Sequence, residues 1–376
     1  KRNTCHNGQM DRYLKPNIIA DLEAKIVLLT GPRQCGKTTL AKSITSSYDY
    51  LNVDVSEDIL LIKQKTWDRS KKLIIFDELH KLDHWKRLLK GVYDKEGVKP
   101  HLIVTGSAKL DAYSKVGDSL AGRYFQYRLY PFDLQELALY YDQSSIDTFT
   151  RLMTCGGFPE PFLNGTESYY KRWQKTHNDI ILRQDLIDNE SVRDIKSIEL
   201  LVVLLKQRVA SGVSYSNIAR DLDRDPNTVK RWCLILENMY IIFRVLPYHD
   251  NVARSVLKEP KLYFYDIALV ADEGARLENL VAVSLLKHLH WLSDTQGSAV
   301  QLNYCRTKDA KEIDFLCTID ERRYLIEVKT SDKKLSNSFA HFKKYFPQAQ
   351  CIQLVLNLDR EYSYPDGSKI TGLVPW

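Results

Sequence analysis

Two stretches of the chain place reactive side chains at spacings that chemistry uses. The first is GPRQCGKTT at Gly31–Thr39, which fits the pattern G-x-x-x-x-G-K-[ST]. In such a loop, formed by Gly31, Pro32, Arg33, Gln34, Cys35, Gly36, Lys37, Thr38 and Thr39, backbone N–H groups converge on a phosphate. Lys37 adds a point charge to the β- and γ-oxygens, and the Thr38 hydroxyl ligates Mg²⁺. Downstream, KKLIIFDELHK (Lys71–Lys81) is an apolar run ending in two acids, Asp77 to hold Mg²⁺ through water and Glu78 to orient and deprotonate an attacking water. HLIVTGS (His101–Ser107) ends in hydroxyls, and Thr105 or Ser107 is placed for a γ-phosphate or the lytic water. Arg123, in SLAGRYF, has two readings: a cation that steadies transition-state charge within its own subunit or a neighbour's, or a structural arginine paired with an acid.

The second stretch is KEIDFLCTIDERRYLIEVKTS (Lys311–Ser331), which alternates like a hairpin with its turn at Asp320–Glu321. Counting out from the turn pairs Ile319 with Arg322 and therefore sets Asp314 opposite Glu327. Lys329 shares their face, while Ile313, Phe315, Cys317, Tyr324, Ile326 and Val328 occupy the other. Two facing carboxylates repel unless a cation separates them, which predicts a Mg²⁺ site, with Lys329 activating water or steadying charge at phosphorus. Glu278, in the helical pattern Ala275–Leu289, offers a third carboxylate, and the set is the layout of a phosphodiester-cleaving site. The alternative is a salt-bridged hairpin neutralised by Lys329 with Arg322 or Arg323.

These residues need elements to hold them. KIVLLT (Lys25–Thr30) reads as a buried strand running into the loop, and TTLAKSITSS as the helix that follows. YDYLNVDV (Tyr48–Val55) intervenes before the Asp77 strand, and YFQYRLYP (Tyr124–Pro131) supplies a fifth strand of a parallel sheet covered by helices on both faces. CGGFPEPFLNG (Cys155–Gly165) breaks the periodicity and marks a boundary, after which helical spacing predominates. In Val213–Tyr248, two short helices meet at a tight turn, the second started by Asp225–Pro226. Its Val229, Trp232, Cys233 and Leu236 face inward, and Asn227, Thr228, Lys230 and Arg231 face outward, as in a helix-turn-helix that lays those four against DNA, with β-type residues Tyr240–Leu246 as a wing. A plain packing or protein-contact module is the other use of such helices.

The 376 residues exceed one ordinary core and predict several domains. Runs such as Leu200–Leu205 are far short of the roughly 18–20 apolar residues a membrane span needs, and the start carries no secretory signal, so a cytoplasmic protein with no membrane partner is expected. Seven scattered cysteines without a C-x-x-C pair argue against disulfides and structural zinc. The net charge of +6 permits a polyanionic partner without establishing one.

With GPRQCGKTTL, IIFDELHK, VTGSAKL, SLAGRYF, GGFPEP, the helix pair, PKLYFYDIAL and EIDFLC…IEVKTS in hand, the chain resembles bacterial and archaeal AAA+ ATPases that carry a C-terminal domain of unknown function. One departure is His80, where such chains commonly have Gln. The resemblance implies a multidomain α/β protein: a P-loop (AAA+/ASCE) parallel-sheet domain over 1–150, a helical lid over 151–206, a winged helix-turn-helix over 207–250, and over 251–376 a domain that looks like the PD-(D/E)XK nuclease fold, with Glu278, Asp314, Glu327 and Lys329 at its site. It further implies ATP and Mg²⁺ as cofactors, DNA as partner and a homo-oligomer. The expected function is ATP hydrolysis coupled to DNA processing with a metal-dependent nuclease. The alternative is a non-cutting DNA motor or nucleotide-switched regulator whose nuclease-like fold is inactive.

Overall fold

The computed structural model describes residues 11–106, 120–141, 145–179, 194–249, 259–307, 309–331 and 334–373. The expected site residue Ser107 lies outside them. The chain divides into two compact units, Lys1–Pro131 with Leu139–Tyr141, and Phe132–Ala138 with Asp142–Trp376.

The first unit is built on five strands, β1 (Ile26–Thr30), β2 (Tyr48–Asn52), β3 (Leu73–Asp77), β4 (His101–Gly106) and β5 (Tyr124–Arg128). All pair in parallel, in the order β2-β3-β4-β1-β5. β1 and β3 are buried at every position, which explains their unbroken apolar sequences, since a strand covered on both faces has no polar side to alternate with. YDYLNVDV, which intervenes in sequence, becomes the edge strand β2, and the strand between β1 and β3 in space is β4, with Ile103 paired to both Val27 and Ile75. The register sets Asn52, Asp77 and Thr105 side by side at the carboxyl edge, with Thr30 paired to Gly106 one residue further along, where the phosphate-binding pattern begins.

The second unit opens with helices Ser145–Cys155, Pro159–Asn164, Glu167–Asp179, Ile195–Lys206, Tyr215–Leu222 and Pro226–Asn238. The last begins as expected: Pro226 occupies its first turn and the Asp225 side chain accepts from the Asn227 amide at 2.8 Å. Strands β6 (Ile242–Pro247), β7 (Lys261–Phe264), β8 (Val300–Arg306), β9 (Glu312–Ile319), β10 (Arg322–Lys329), β11 (Gln350–Val355), β12 (Tyr362–Ser363) and β13 (Lys369–Gly372) form one sheet, ordered β12-β13-β11-β10-β9-β8-β6-β7. The 24-residue helix Glu273–Gln296 packs along it, and Asn337–Phe342 lies between β10 and β11 in the chain.

Two expectations change here. The β-type residues after the helix pair do not project as a wing: β6 is held antiparallel to β7 and parallel to β8, and its Ile242, Phe243 and Val245 are buried. The β9–β10 register is as counted, Ile319 opposite Arg322 through Phe315 opposite Ile326. Yet both faces of that hairpin are covered, because Leu316 and Leu325, which share the parity of the carboxylates, are fully buried in a cluster with Phe339 and Phe342.

Helices and sheet of this unit are joined by a buried polar contact. Tyr170 donates to Asp266 Oδ2 at 2.9 Å, and a Cβ on Gly156 would come within 2.4 Å of Asp266 Oδ1. Burial raises the Asp266 carboxyl to about 7, against the lowering effect of the Tyr170 hydroxyl. A carboxyl whose folded pKa exceeds its unfolded one contributes stability that is complete below about pH 4 and is lost as pH rises through 7, here about 4 kcal/mol in all. The wild-type protein should therefore lose stability between about pH 4 and pH 7, and Asp266→Asn should flatten that slope, read by urea denaturation across the pH range.

Candidate functional site

The phosphate-binding pattern forms a loop between β1 and the helix Lys37–Lys42. Gly31 has φ +147°, and a Cβ there would lie 2.0 Å from the Leu129 carbonyl oxygen just past β5, so only glycine fits. Gly36, at φ +95°, turns the chain into the helix. Arg12 donates to the carbonyls of Cys35 (2.7 Å) and Tyr130 (2.6 Å), tying the loop to the same segment after β5. The ammonium of Lys37 is buried and donates to the Gly31 and Pro32 carbonyls at 2.9 and 2.7 Å.

Asp77 ends β3 beside this loop, 7% exposed. Its Oδ2 accepts from Thr38 Oγ1 at 2.8 Å and from the Tyr50 hydroxyl at 2.7 Å, and its Oδ1 accepts from Thr105 Oγ1. Hydroxyls from three elements thus fix one carboxylate. Hydroxyl and carboxylate oxygens are the donors Mg²⁺ takes, so Thr38 and Asp77 fit the ion expected there. Tyr50 went unnoticed in the sequence; the available signal was a polar-tipped residue two positions before the end of a strand adjacent to β3. Burial, then Asp77, drive its phenol well above the ordinary value, so it remains a donor. Glu78 adopts φ +54°, turning the chain away from β3, and its Oε2 lies 3.6 Å from His80 Nδ1. Burial lowers the His80 pKa.

Arg123 follows the structural alternative. Its Nε donates to Asp94 at 2.7 Å, and its carbonyl accepts from the Ile26 amide, at the amino end of β1. The loop follows the opposite end of that strand, about 13 Å away at the rise of a parallel strand, so Arg123 does not serve the phosphate site of its own subunit.

In the second unit Val229, Trp232, Cys233 and Leu236 are buried as expected, and Asn227 and Arg231 are exposed one turn apart. Thr228 and Lys230 are half-buried rather than outward-facing, because they flank the inward stripe.

The carboxylates near the C-terminus meet a cation from a strand that lies about 50 residues before Asp314 in the chain. Lys261, on β7 and 1% exposed, lies 2.6 Å from Glu312, 3.1 Å from Glu278 and 3.6 Å from Asp314. Tyr263 donates to Glu278 at 2.6 Å. Asp314 Oδ2 accepts from the Val328 amide at 2.9 Å, and Lys329 pairs with Glu327 at 2.8 Å. Burial raises Glu278 to about 7 and Glu327 to about 6, with Asp314 adding to both. For Lys261, burial opposes its charge but Glu278, Asp314 and Glu312 outweigh it and raise its pKa. Among the described residues no three His, Cys, Asp or Glu side chains are grouped to hold a metal ion. The expected Mg²⁺ site of Glu278, Asp314 and Glu327 is thus replaced by an arrangement in which an ammonium separates Glu278 from Asp314, and the carboxylates do not fit a metal.

The first unit is therefore a phosphate-loop domain on a parallel sheet. Residues 23–138 match the AAA domain family, residues 146–277 match a domain of unknown function (DUF8612), and residues 273–375 match another (DUF4143). Similar proteins described as uncharacterized occur in Mycobacterium tuberculosis, 24% identical over 91% of this chain and 78% of the relative, and in Haemophilus influenzae, 24% over 88% and 84%. A third, from Methanocaldococcus jannaschii, is 24% identical over 81% of this chain and 74% of the relative. Among solved structures, Aeropyrum pernix ORC1 in complex with DNA gives a TM-score of 0.36 at 11% identity over 74% of this chain and 94% of that one. A point variant of Thermotoga maritima RuvB gives 0.33 at 16% over 62% and 87%. No described helix is long and apolar enough to cross a membrane.

Gly31→Ala should cost about 3 kcal/mol or more by forcing the Leu129 carbonyl aside, measured as a fall in the thermal midpoint of the full chain.

Proposed function

We propose that this chain binds and hydrolyses ATP at Gly31–Thr39 and couples turnover to remodelling of bound DNA. The observation that carries the first half is the Asp77 carboxylate held by Thr38, Tyr50 and Thr105 beside an intact phosphate loop. Thr38 and Asp77 would hold Mg²⁺, which when bound neutralises charge on the β- and γ-phosphates. Lys37 exchanges its two loop carbonyls for phosphate oxygens, and Glu78, one residue beyond Asp77, orients and deprotonates water. The position of Arg123 leaves any arginine that acts on the γ-phosphate to another part of the protein or to a neighbouring copy, as in a homo-oligomer. Lys37→Ala should lower ATP turnover at least 100-fold in a phosphate-release assay with little change in thermal midpoint; turnover within threefold of the parent would refute the site.

DNA is the partner proposed for the helix pair, on the strength of Asn227 and Arg231 standing exposed at the start of a helix begun by Asp225 and Pro226. Arg231→Ala should weaken duplex binding and reduce the salt slope of log K by about 1, measured by fluorescence anisotropy at two salt concentrations. A slope equal to the parent's argues for a protein-contact module.

Of the two readings for the C-terminal sheet, the non-cutting one has the better support. Lys261 lies against both Glu278 and Asp314 and holds them apart, which does not suit the metal that a nuclease of the kind the sequence resembles would need. No cleavage of single-stranded, duplex or branched DNA is expected with Mg²⁺ or Mn²⁺, with or without ATP. Cleavage that Asp314→Ala abolishes while ATPase survives would restore the nuclease reading.

A further inference from the structure

The first unit contains a cavity of about 910 Å³ whose walls take in Leu73 and His101, the first residues of β3 and β4. Asp77 and Thr105 lie four residues further along the same strands, about 13 Å away, so the cavity and the phosphate loop occupy opposite ends of the sheet. Its volume falls within the roughly 300–1,000 Å³ of small-molecule sites.

The lining is two-sided. Ile19, Leu22, Ile44, Leu73 and Pro100 supply an apolar floor, and Ile19 keeps 45% of its surface exposed. Around it stand five cations, Arg69, Lys71, Lys72, Lys95 and Lys99, against two carboxylates, Glu23 and Glu96. Arg69 is bound by Glu96 through two nitrogens at 2.7 and 3.0 Å, Lys99 lies 3.8 Å from Glu23, and Lys71 lies 3.8 Å from Asp68. Lys72 and Lys95 have no carboxylate partner among the described residues, and both are exposed. His101 Nε2 donates to the Glu23 carboxylate at 3.2 Å while its buried Nδ1 has no partner. Like charges gathered over apolar surface repel one another unless an anion joins them, and lysine ammonium groups are point-charge binders of phosphate. A singly charged carboxylate would leave most of the surplus unanswered, whereas a phosphate carries close to two charges at neutral pH.

We propose that this cavity is a second ligand site of the first unit, for a phosphorylated small molecule of nucleotide size whose apolar or aromatic body rests on the floor and whose phosphate lies between Lys72 and Lys95. Nothing in the ATP site is shared with it, so occupancy of one does not require the other. The site belongs to a soluble effector rather than to the nucleotide that is hydrolysed.

The test uses the full chain and two probes, the fluorescent anion 8-anilinonaphthalene-1-sulfonate and 5′-AMP as its competitor. One dye per chain is expected to bind, to be displaced by 5′-AMP, and to bind equally well in Lys37→Ala, which separates this cavity from the phosphate loop. Lys72→Glu with Lys95→Glu should weaken dye and 5′-AMP binding at least tenfold while ATP turnover and thermal midpoint stay at the parent's values. Ile19→Asp, at a half-exposed helix position, gives an independent variant and should weaken both in the same way. Unchanged titrations in both variants, failure of 5′-AMP to displace the dye, or loss of binding in Lys37→Ala would each overturn the proposal.

Discussion

A carboxylate held almost out of water at the end of a buried strand is the constraint around which the first unit is organised. An ionised group in that position is costly unless its oxygens are met by donors. Asp77 is met by Thr38 from the loop helix, Tyr50 from the edge strand and Thr105 from the central strand. Each donor reaches it only because β2, β3 and β4 are parallel and in register, with Asn52, Asp77 and Thr105 side by side. A slip of one residue in either pairing would turn every side chain on the moved strand to the opposite face and leave the carboxylate unmet. The sheet order and the buried acid are therefore one requirement.

The segment after β5 carries the other half of that requirement. The carbonyls of Leu129 and Tyr130 lie against Gly31 and Arg12, so the loop that must approach phosphates is shaped by backbone about 100 positions later in the chain. A few residues on, Asp133 and Glu136 share the ammonium of Lys287 inside the second unit, all three buried. The chain that contours the phosphate loop is thus anchored in each unit by contacts made separately there.

What the sequence disclosed was what short-range rules govern. The phosphate loop, its two flanking elements and the acid pair are contiguous motifs, and Asp225–Pro226 announces a helix start from two residues. The β9–β10 register was countable because a tight turn at Asp320 fixes it. Features that depend on distant segments were not readable. Lys261 precedes Glu312 by about 50 residues and looks like an ordinary basic residue until β7 is placed beside β6. Tyr50 gains its role only when β2 is known to be the neighbour of β3. Arg123 illustrates the converse: a residue that precedes a strand of a parallel sheet stands at its amino edge, away from the loop, but its partner Asp94, 29 positions earlier, was not visible. Half-burial of Thr228 and Lys230 follows from a helix whose inward stripe is broader than the four apolar residues that reveal it.

The sheet of the second unit crosses the join between its two family matches, which overlap only at 273–277. β6 and β7 lie in the first of those stretches, and β8, which pairs with β6 at Leu246 and Pro247, lies in the second. Cutting the chain at that join would strip two strands from the sheet and expose the ladder groups of β8, the kind of bare edge on which chains aggregate. It would also remove Lys261 and leave Glu278, Glu312 and Asp314 crowded without their counter-charge. Neither stretch of this chain therefore closes its sheet or neutralises its carboxylates by itself.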